Sequence, residues 1–436
     1  MNSPLPLTLV KAKLFIDNLQ MVEYTPKEVI QALLKSPHLL QHWDNQNHQH
    51  KMSQQIYINE KHQIEEYLVL SKNDCVPVRY NQPHHGWGRP YIYKSLGFTA
   101  FRRPVRNTFL GKNYDDFDME NAQPVLLQNI CHSHNIPCPK TDIYCANRDS
   151  ILEEVGRIYS VDRGCAKKLF LRLFFKGTVD NWIKENNIPV PKTSYSFLFD
   201  LQKELDEIAQ TLKRSNPELY NTAKALKQAK NQKNYIGSFL AFYLQEAEKR
   251  VMSGIMEWMA KETSLFKKKG VDGLVGAYEY DGIKLLKANV KKYGKAKLIQ
   301  DLEAKVFELF GFHIKWTVKD VDDQYDISRE LMEVKNGAYE EPKTVKVPIK
   351  KGGGMDYIRR LFQLDYTGIN RIVETSEFVS QEGTPAENNI STLCKFLILF
   401  AYMGRGKSTA IKRIVPLYKS FVIITPRQPT LILRHI

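Results

Sequence analysis

An acidic segment near the first quarter of the chain could bind a hard metal ion. It has the sequence Asp115-Asp116-Phe117-Asp118-Met119-Glu120. Because side chains alternate along a strand, Asp116 and Asp118 would share one face if residues 114–119 form a strand. Two carboxylates on one face can hold a divalent cation such as Mg²⁺ through their oxygens. A solvated acidic turn without function is the alternative for this pattern.

A basic segment, residues 163–177, combines cations and aromatics at helical spacing. Arg163 and Lys167 would lie on one helix face, and Phe175 follows eight residues after Lys167. Such cations can bind triphosphate oxygens, and an aromatic ring can stack on a base. The alternative is a surface helix whose cations are only solvated.

Residues 276–284 predict a β-hairpin with Asp281-Gly282 at its turn. A carboxylate at that position could reach a metal ion shared with the acidic segment. Asp-Gly turns are also common in hairpins that have no function. A run of lysines follows, and it indicates either phosphate contacts or a solvated helix face. These lysines are Lys284, Lys287, Lys291, Lys292, Lys295 and Lys297.

The last segment with possible chemistry predicts a phosphate-binding loop. Apolar residues 396–400 predict a buried strand, which leads into a glycine-containing loop and then a helix. Loop amides and a helix N-terminus can hold phosphates, a lysine can reach the β and γ oxygens, and a serine can bind Mg²⁺. The residues expected to bind ATP in this way are Gly404, Gly406, Lys407, Ser408 and Thr409.

Composition limits the class of partner. The 436 residues include 63 Lys and Arg against 48 Asp and Glu, a net charge of +15, which favours a polyanion such as DNA. The longest apolar run, residues 396–403, is far below the roughly 20 residues that span a bilayer, so we expect no membrane partner. Six irregularly spaced cysteines and the lack of a signal-peptide pattern favour an intracellular protein.

In order, spacing and chemistry, the first three segments resemble a divergent family A DNA polymerase of the viral and transposon type. The resemblance covers roughly residues 80–325. It implies that Asp118, with Asp116 as its rival, and Asp281 bind catalytic Mg²⁺. It also implies that Arg163, Lys167 and Phe175 contact the incoming deoxynucleoside triphosphate, with DNA template and primer as partners. The segment containing Asn234, Gly237 and Ser238 resembles the template-side helix start of that family.

The phosphate loop resembles that of superfamily 2 helicases, because Ala401 stands where a strict P-loop has glycine. With the later Ile424-Thr425-Pro426-Arg427, it is similar to the herpesvirus-type replication origin-binding helicases and their giant-virus relatives. The resemblance implies ATP as a ligand, and origin DNA and other replication proteins as partners. Since no acidic box follows Lys407, we expect an incomplete helicase domain that does not hydrolyse ATP.

The resulting prediction is an α+β chain with four regions. A small helical region over 1–80 precedes a polymerase-like palm, an antiparallel sheet with helices, and helical fingers over 81–329. A linker follows over 330–355, and the start of an α/β P-loop helicase lobe occupies 356–436. Two other functions stay open. One is a non-catalytic DNA-binding or origin-binding module with a relic palm, and the other is a primase.

A group of cysteines and histidines raises the question of zinc. It comprises Cys131, His132, His134, Cys138 and Cys145. Their spacing fits no common zinc module, and cysteine is often only a small buried apolar residue. We therefore expect these cysteines to be part of a core.

Overall fold

The computed structural model describes residues 5–42, 50–52, 55–57, 59–93, 95–189, 195–337 and 339, and four short strands after residue 370. The chain divides into two compact units. The first unit contains residues 1–30 and 67–328, and the second contains residues 31–66 and 329–436.

Strands and helices alternate irregularly along the chain. The strands are β1 (Gln20–Tyr24), β2 (His50–Met52), β3 (Gln55–Tyr57), β4 (Cys75–Asn81), β5 (Tyr91–Ile92), β6 (Tyr114–Met119), β7 (Leu274–Val275), β8 (Ala277–Glu279), β9 (Gly282–Leu286), β10 (Trp316–Lys319), β11 (Arg371–Glu374), β12 (Leu397–Phe400), β13 (Ser420–Phe421) and β14 (Arg434–His435). The helices are α1 (Lys27–Leu34), α2 (Glu60–Leu70), α3 (Arg103–Leu110), α4 (Ala122–Ser133), α5 (Pro139–Ala146), α6 (Arg148–Tyr159), α7 (Arg163–Phe174), α8 (Val179–Glu185), α9 (Ser196–Ser215), α10 (Pro217–Gln228), α11 (Tyr235–Glu262), α12 (Lys287–Tyr293), α13 (Lys295–Phe310) and α14 (Ser328–Lys335).

The first sheet of the first unit has the strand order β5-β4-β1-β7. Strand β1 runs antiparallel to β4 and parallel to β7. In β4, Val76, Val78 and Tyr80 are buried and alternate with more exposed residues, as expected of a strand with one face on a core. The region over 1–80, predicted as helical, contains helices α1 and α2 and also strands β1 to β4, of which β1 pairs with β7, more than 200 positions later in the chain.

The second sheet is antiparallel throughout, with the order β10-β6-β9-β8. One face carries Phe117, Tyr278, Ile283 and Trp316, which belong to the hydrophobic core shared with α4 and α11. The other face is polar and carries Asp116 and Asp118 of β6. The α+β fold class is thus confirmed.

Local patterns predicted several elements of this unit correctly. The strand over 114–119 is confirmed as β6, and the helix starting at Arg163 is confirmed as α7. The predicted hairpin is confirmed as β8 and β9. Just before this hairpin, at Gly276, the chain passes from β7 of the first sheet to β8 of the second. A Cβ at Gly276 would lie 2.8 Å from the carbonyl oxygen of Lys284, which explains why a glycine stands there.

The second unit contains the β2–β3 hairpin, the parallel pair β11–β12 and the antiparallel pair β13–β14. Of the predicted linker over 330–355, residues 330–335 belong to α14, and residues 341–355 lie outside the described residues. Strand β12 confirms the strand predicted before the phosphate loop. The predicted ATP-binding residues, Gly404, Gly406, Lys407, Ser408 and Thr409, lie outside the described residues.

Within the described parts of the chain, no helix combines the length and apolar character that crossing a bilayer requires.

A carboxylate is buried at the centre of the first sheet. Glu23 of β1 is inaccessible to solvent, and it accepts hydrogen bonds from the Phe98 amide at 2.9 Å and the Tyr67 hydroxyl at 3.1 Å. Burial raises the pKa of Glu23 to about 8, although both hydrogen bonds act in the opposite direction. The carboxyl is therefore largely protonated at neutral pH.

This raised pKa predicts a pH-dependent stability. Between the ordinary value of 4.5 and about 8, the folded chain binds more protons than the unfolded chain, so the free energy of unfolding falls as pH rises. The slope from one proton is at most about 1.4 kcal/mol per pH unit. Glu23→Gln should remove this contribution, as measured by urea unfolding between pH 5 and 9. The exposed Glu153→Gln should keep the wild-type slope, and the same slope in Glu23→Gln would contradict the prediction.

Candidate active site

The polar face of the second sheet collects carboxylates from neighbouring strands. Asp116 and Asp118 lie on this face, as the period-two pattern predicted. In the strand register, Asp116 lies opposite Lys284 of β9, and Asp118 lies opposite Gly282. Glu279 of β8 lies opposite Gly282 on its other side, so acidic residues of two strands, β6 and β8, share one surface with β9 between them.

The hairpin turn places Asp281 beside the end of β6. The Asp281 carbonyl accepts a hydrogen bond from the Met119 amide at 3.0 Å. Only glycine fits at position 282, because a Cβ there would overlap the Asp118 carboxylate. Asp118 and Asp281 are therefore neighbours across adjacent strands, although 163 positions separate them in the sequence (281 minus 118).

Two lysines hold the carboxylates of this face. The Lys284 ammonium lies 2.6 Å from Asp116 Oδ1 and 3.0 Å from Glu279 Oε2, and its side chain is only 3% exposed. Lys319 of β10 forms an ion pair with Asp118, and its side chain is 57% exposed. Lys284 is buried in this pairing, so the interpretation that it contacts nucleic-acid phosphates is wrong.

Arg89, in the segment before β5, lowers the pKa of the Asp281 carboxyl through its positive charge. Burial raises the pKa of Asp281, the nearby Arg89 and Lys284 oppose that rise, and Asp116 adds to it. The Arg89 guanidinium donates to both carboxylate oxygens of Glu248, at 2.5 and 2.6 Å, and lies 4.6 Å from the centre of the Tyr280 ring.

Sequence reasoning missed this Arg89–Glu248 pair. Glu248 is fully buried in the middle of α11, and its pKa is raised by burial. A charged residue on the buried face of an apolar helix signals a partner of opposite charge, because an unpaired buried charge is costly. That signal does not tell which arginine provides the partner.

The donor set of the polar face suits a hard cation. Asp116, Asp118 and Asp281 offer oxygens, and among the described residues Glu279 Oε1 is buried with no hydrogen-bond partner. The three aspartates do not bring one oxygen each within 4.8 Å of one another. A cation between Asp118 and Asp281 would require the exposed ammonium of Lys319 to leave, whereas Lys284 is confined beside Asp116.

Helix α7 presents a basic surface. Arg163 and Lys167 are exposed, whereas Leu169, Phe170 and Leu173 on the other side of α7 are buried. Arg163 forms an ion pair with Asp149 of α6.

The surroundings of Lys167 lower the pKa of its ammonium group. Partial burial lowers the pKa of Lys167, and the positive charges of Arg148 and Arg163 lower it further. A surface with this crowding of cations is suited to bind an anion.

A cavity of about 450 Å³ lies between the end of β6 and helices α4, α5 and α6. Glu120 and Asn121, directly after β6, line one side, and Arg148 and Asp149 of α6 line the other. Lys315 also lines it. The cavity thus adjoins both the acidic strand and the ion pair that holds Arg163.

The predicted template-side residues join α7 to α11. The Asn234 side chain accepts a hydrogen bond from the Gly237 amide at 2.8 Å and donates one to the Phe175 carbonyl at 3.0 Å. A Cβ at Gly237 would overlap that same carbonyl oxygen, so glycine permits the close approach. Phe175 lies directly after α7 and is half-buried, and Ser238 is half-buried in the first turn of α11.

Comparison with known proteins gives a partial relationship. No protein-family model matches the chain. It is 31% identical over 161 residues to V13, a candidate helicase of Sputnik virophage. The match covers 37% of this chain and 20% of V13, so the chain spans about a fifth of that relative. A solved structure, the POL domain of Pol1 from M. smegmatis in complex with DNA primer-template and dNTP, aligns with a TM-score of 0.38 and 10% identity. That alignment covers 59% of this chain and 49% of the Pol1 chain.

Proposed function

We propose that this chain is a DNA replication protein with a template-directed nucleotidyltransferase centre on the polar face of the second sheet. The observation that carries the proposal is the placement of Asp118 beside the Asp281 turn on neighbouring strands. The basic surface of α7 and the cavity next to β6 support it. The partial similarity to V13, which is described as a candidate helicase, supports a role in replication.

In the proposed reaction, Asp118 and Asp281 would hold magnesium, and Asp116 would stay paired with Lys284. Bound magnesium would activate a primer 3′-hydroxyl for attack on the α-phosphorus of the triphosphate and would neutralise the pyrophosphate that leaves. Arg89 favours the ionised form of Asp281, which metal binding requires. Lys167 and Arg163 bind the β and γ oxygens of a deoxynucleoside triphosphate, Phe175 stacks near the new pair, and Asn234, Gly237 and Ser238 border the template.

A primer-extension assay tests this proposal. The full chain is incubated with a DNA primer–template, deoxynucleoside triphosphates and Mg²⁺, and we expect extension that a chelator abolishes. Extension that persists in excess chelator would contradict a magnesium-dependent centre. Synthesis without a primer would assign the chain as a primase.

A second candidate function is a non-catalytic DNA-binding module. The observation that favours it is that Lys284 and Lys319 already neutralise Asp116 and Asp118. Ammonium groups in these positions could replace metal ions and leave a surface that only binds DNA. Under this alternative, the wild-type chain binds DNA but incorporates no nucleotide at any Mg²⁺ concentration.

We also propose that the segment after residue 400 binds ATP through Gly404, Gly406, Lys407, Ser408 and Thr409. Strand β12 ends directly before this segment, as in a strand–loop–helix phosphate site. Lys407→Ala should weaken binding of a fluorescent ATP analogue by about tenfold or more, since a charged hydrogen bond is lost. Lys412→Ala should bind like the wild type, and equal affinities for both variants would contradict the proposal.

A further inference from the structure

The connection between α4 and α5 brings together three side chains that can each bind a metal. His132 lies in the last turn of α4, Cys138 is the residue before α5, and Asp142 lies one turn into α5. His132 Nε2 is 2.9 Å from Asp142 Oδ1, and Cys138 Sγ is 3.7 Å from the same oxygen. The three ligand atoms all lie within 4.8 Å of one another.

The backbone fixes this arrangement. Asn135 adopts a left-handed conformation, with φ of 53°, and the Ile136 amide donates to the Cys131 carbonyl at 2.8 Å. These features end α4 and reverse the chain, so that Cys138 and Asp142 come back beside His132. Cys138 and Asp142 are four residues apart and lie on one side of α5.

Two further groups surround the three ligands. Gln128 donates a hydrogen bond to Asp142 Oδ1 at 2.8 Å, which orients the carboxylate. The side chains of Cys131, next to His132 in the chain, and of Cys138 are both buried. The sulfur atoms therefore lie inside the fold, and His132, whose side chain is 57% exposed, closes the group from the solvent side.

We propose that His132, Cys138 and Asp142 form a zinc site, with a water as the fourth ligand. One nitrogen, one sulfur and one carboxylate oxygen match the donors that zinc prefers, whereas Mg²⁺ and Ca²⁺ prefer oxygen alone. Zinc bonds of about 2.0–2.3 Å in a tetrahedron separate ligand atoms by roughly 3.3–3.8 Å. The Cys138–Asp142 separation of 3.7 Å already lies in that range, and the His132–Asp142 pair at 2.9 Å has to move apart to reach it.

The site has a structural consequence for the proposed active centre. Helix α4 directly follows β6, the strand that carries Asp118. Zinc would link the end of α4 to the start of α5 and so hold the helix that follows the acidic strand. The spacing of these residues did not identify the site, because it depends on how the chain reverses at Asn135.

The test is a Co²⁺ titration of the metal-stripped full chain under reducing conditions, with Co²⁺ as a spectroscopic substitute for zinc. We expect one Co²⁺ per chain, tetrahedral ligand-field bands and a thiolate-to-metal band. Cys138→Ser should lose the thiolate band and weaken binding by about 100-fold or more, at least the cost known for lost outer-shell support. Cys165→Ser, which changes a cysteine outside the group, should titrate like the wild type.

Because Cys138 is buried, a second variant protects the test from misfolding. His132→Asn changes an exposed side chain, so it should fold like the wild type by circular dichroism and still weaken Co²⁺ binding strongly. The absence of stoichiometric binding by the wild type would overturn the proposal. Unchanged affinity in folded His132→Asn would also overturn it.

Discussion

Replacing Asp281 by asparagine should lower nucleotide incorporation by about a thousandfold while changing DNA affinity less than twofold. Asparagine keeps the shape of the side chain and the backbone hydrogen bond to Met119, but it removes a charge from the proposed metal site. Losing one preorganised group that stabilises transition-state charge costs on the order of 10²–10³ in rate, and weaker metal binding adds to that. Single-turnover incorporation and DNA-binding titrations measure the two effects separately.

Two matched variants make this result specific. Asp272→Asn changes an exposed aspartate in the segment before β7 and should leave incorporation unchanged. Asp116→Asn should lower incorporation less than Asp281→Asn, because Lys284 already holds Asp116. If Asp116→Asn has the larger effect, Asp116 rather than Asp118 is the partner of Asp281. If wild type and Asp281→Asn incorporate equally, the centre lies elsewhere.

The parts of the site that local sequence patterns specify were predicted well. Strand β6, the hairpin of β8 and β9, and helix α7 each follow from patterns within about 15 residues, since side-chain period and turn chemistry are local properties. The sharing of one face by Asp116 and Asp118 follows from the same period. The adjacency of Asp118 and Asp281 was expected only through the resemblance to polymerases.

The counter-charges of the site could not be predicted in this way. Arg89 and Glu248 are 159 positions apart, and their pairing depends on how α11 packs against the loop before β5. Lys284 has the sequence appearance of the first member of a phosphate-binding lysine run. Its burial follows from the register of β9 against β6, which places it opposite Asp116. A one-residue shift of that register would turn Lys284 to the opposite face.

The same reasoning identifies which lysines are available for DNA. Lys295 is held by Asp115 at 2.9 Å and Lys297 by Asp301 at 2.5 Å. Lys291 and Lys292 are exposed at the end of α12. These two are therefore the strongest candidates for phosphate contacts in the lysine run.

DNA affinity should fall steeply as salt rises, and these two lysines should account for part of the slope. For six to ten phosphate contacts, affinity falls by about 10³–10⁵ between roughly 50 and 200 mM salt, and each contact adds about 0.9 to the slope of log affinity against log salt. Joint replacement of Lys291 and Lys292 by alanine should reduce that slope by about 1.8. Fluorescence anisotropy with a labelled duplex measures it.

The control for this experiment removes the same amount of positive charge from a different part of the surface. Joint replacement of Lys203 and Lys269, both exposed, by alanine removes the same two charges elsewhere. If net charge alone governs binding, both double variants lower affinity equally through the long-range field. If α12 contacts the DNA, only the Lys291 and Lys292 variant loses slope, because counterions are released only where a cation meets a phosphate. A flat salt response in the wild type would exclude nucleic acid as the partner of this basic chain.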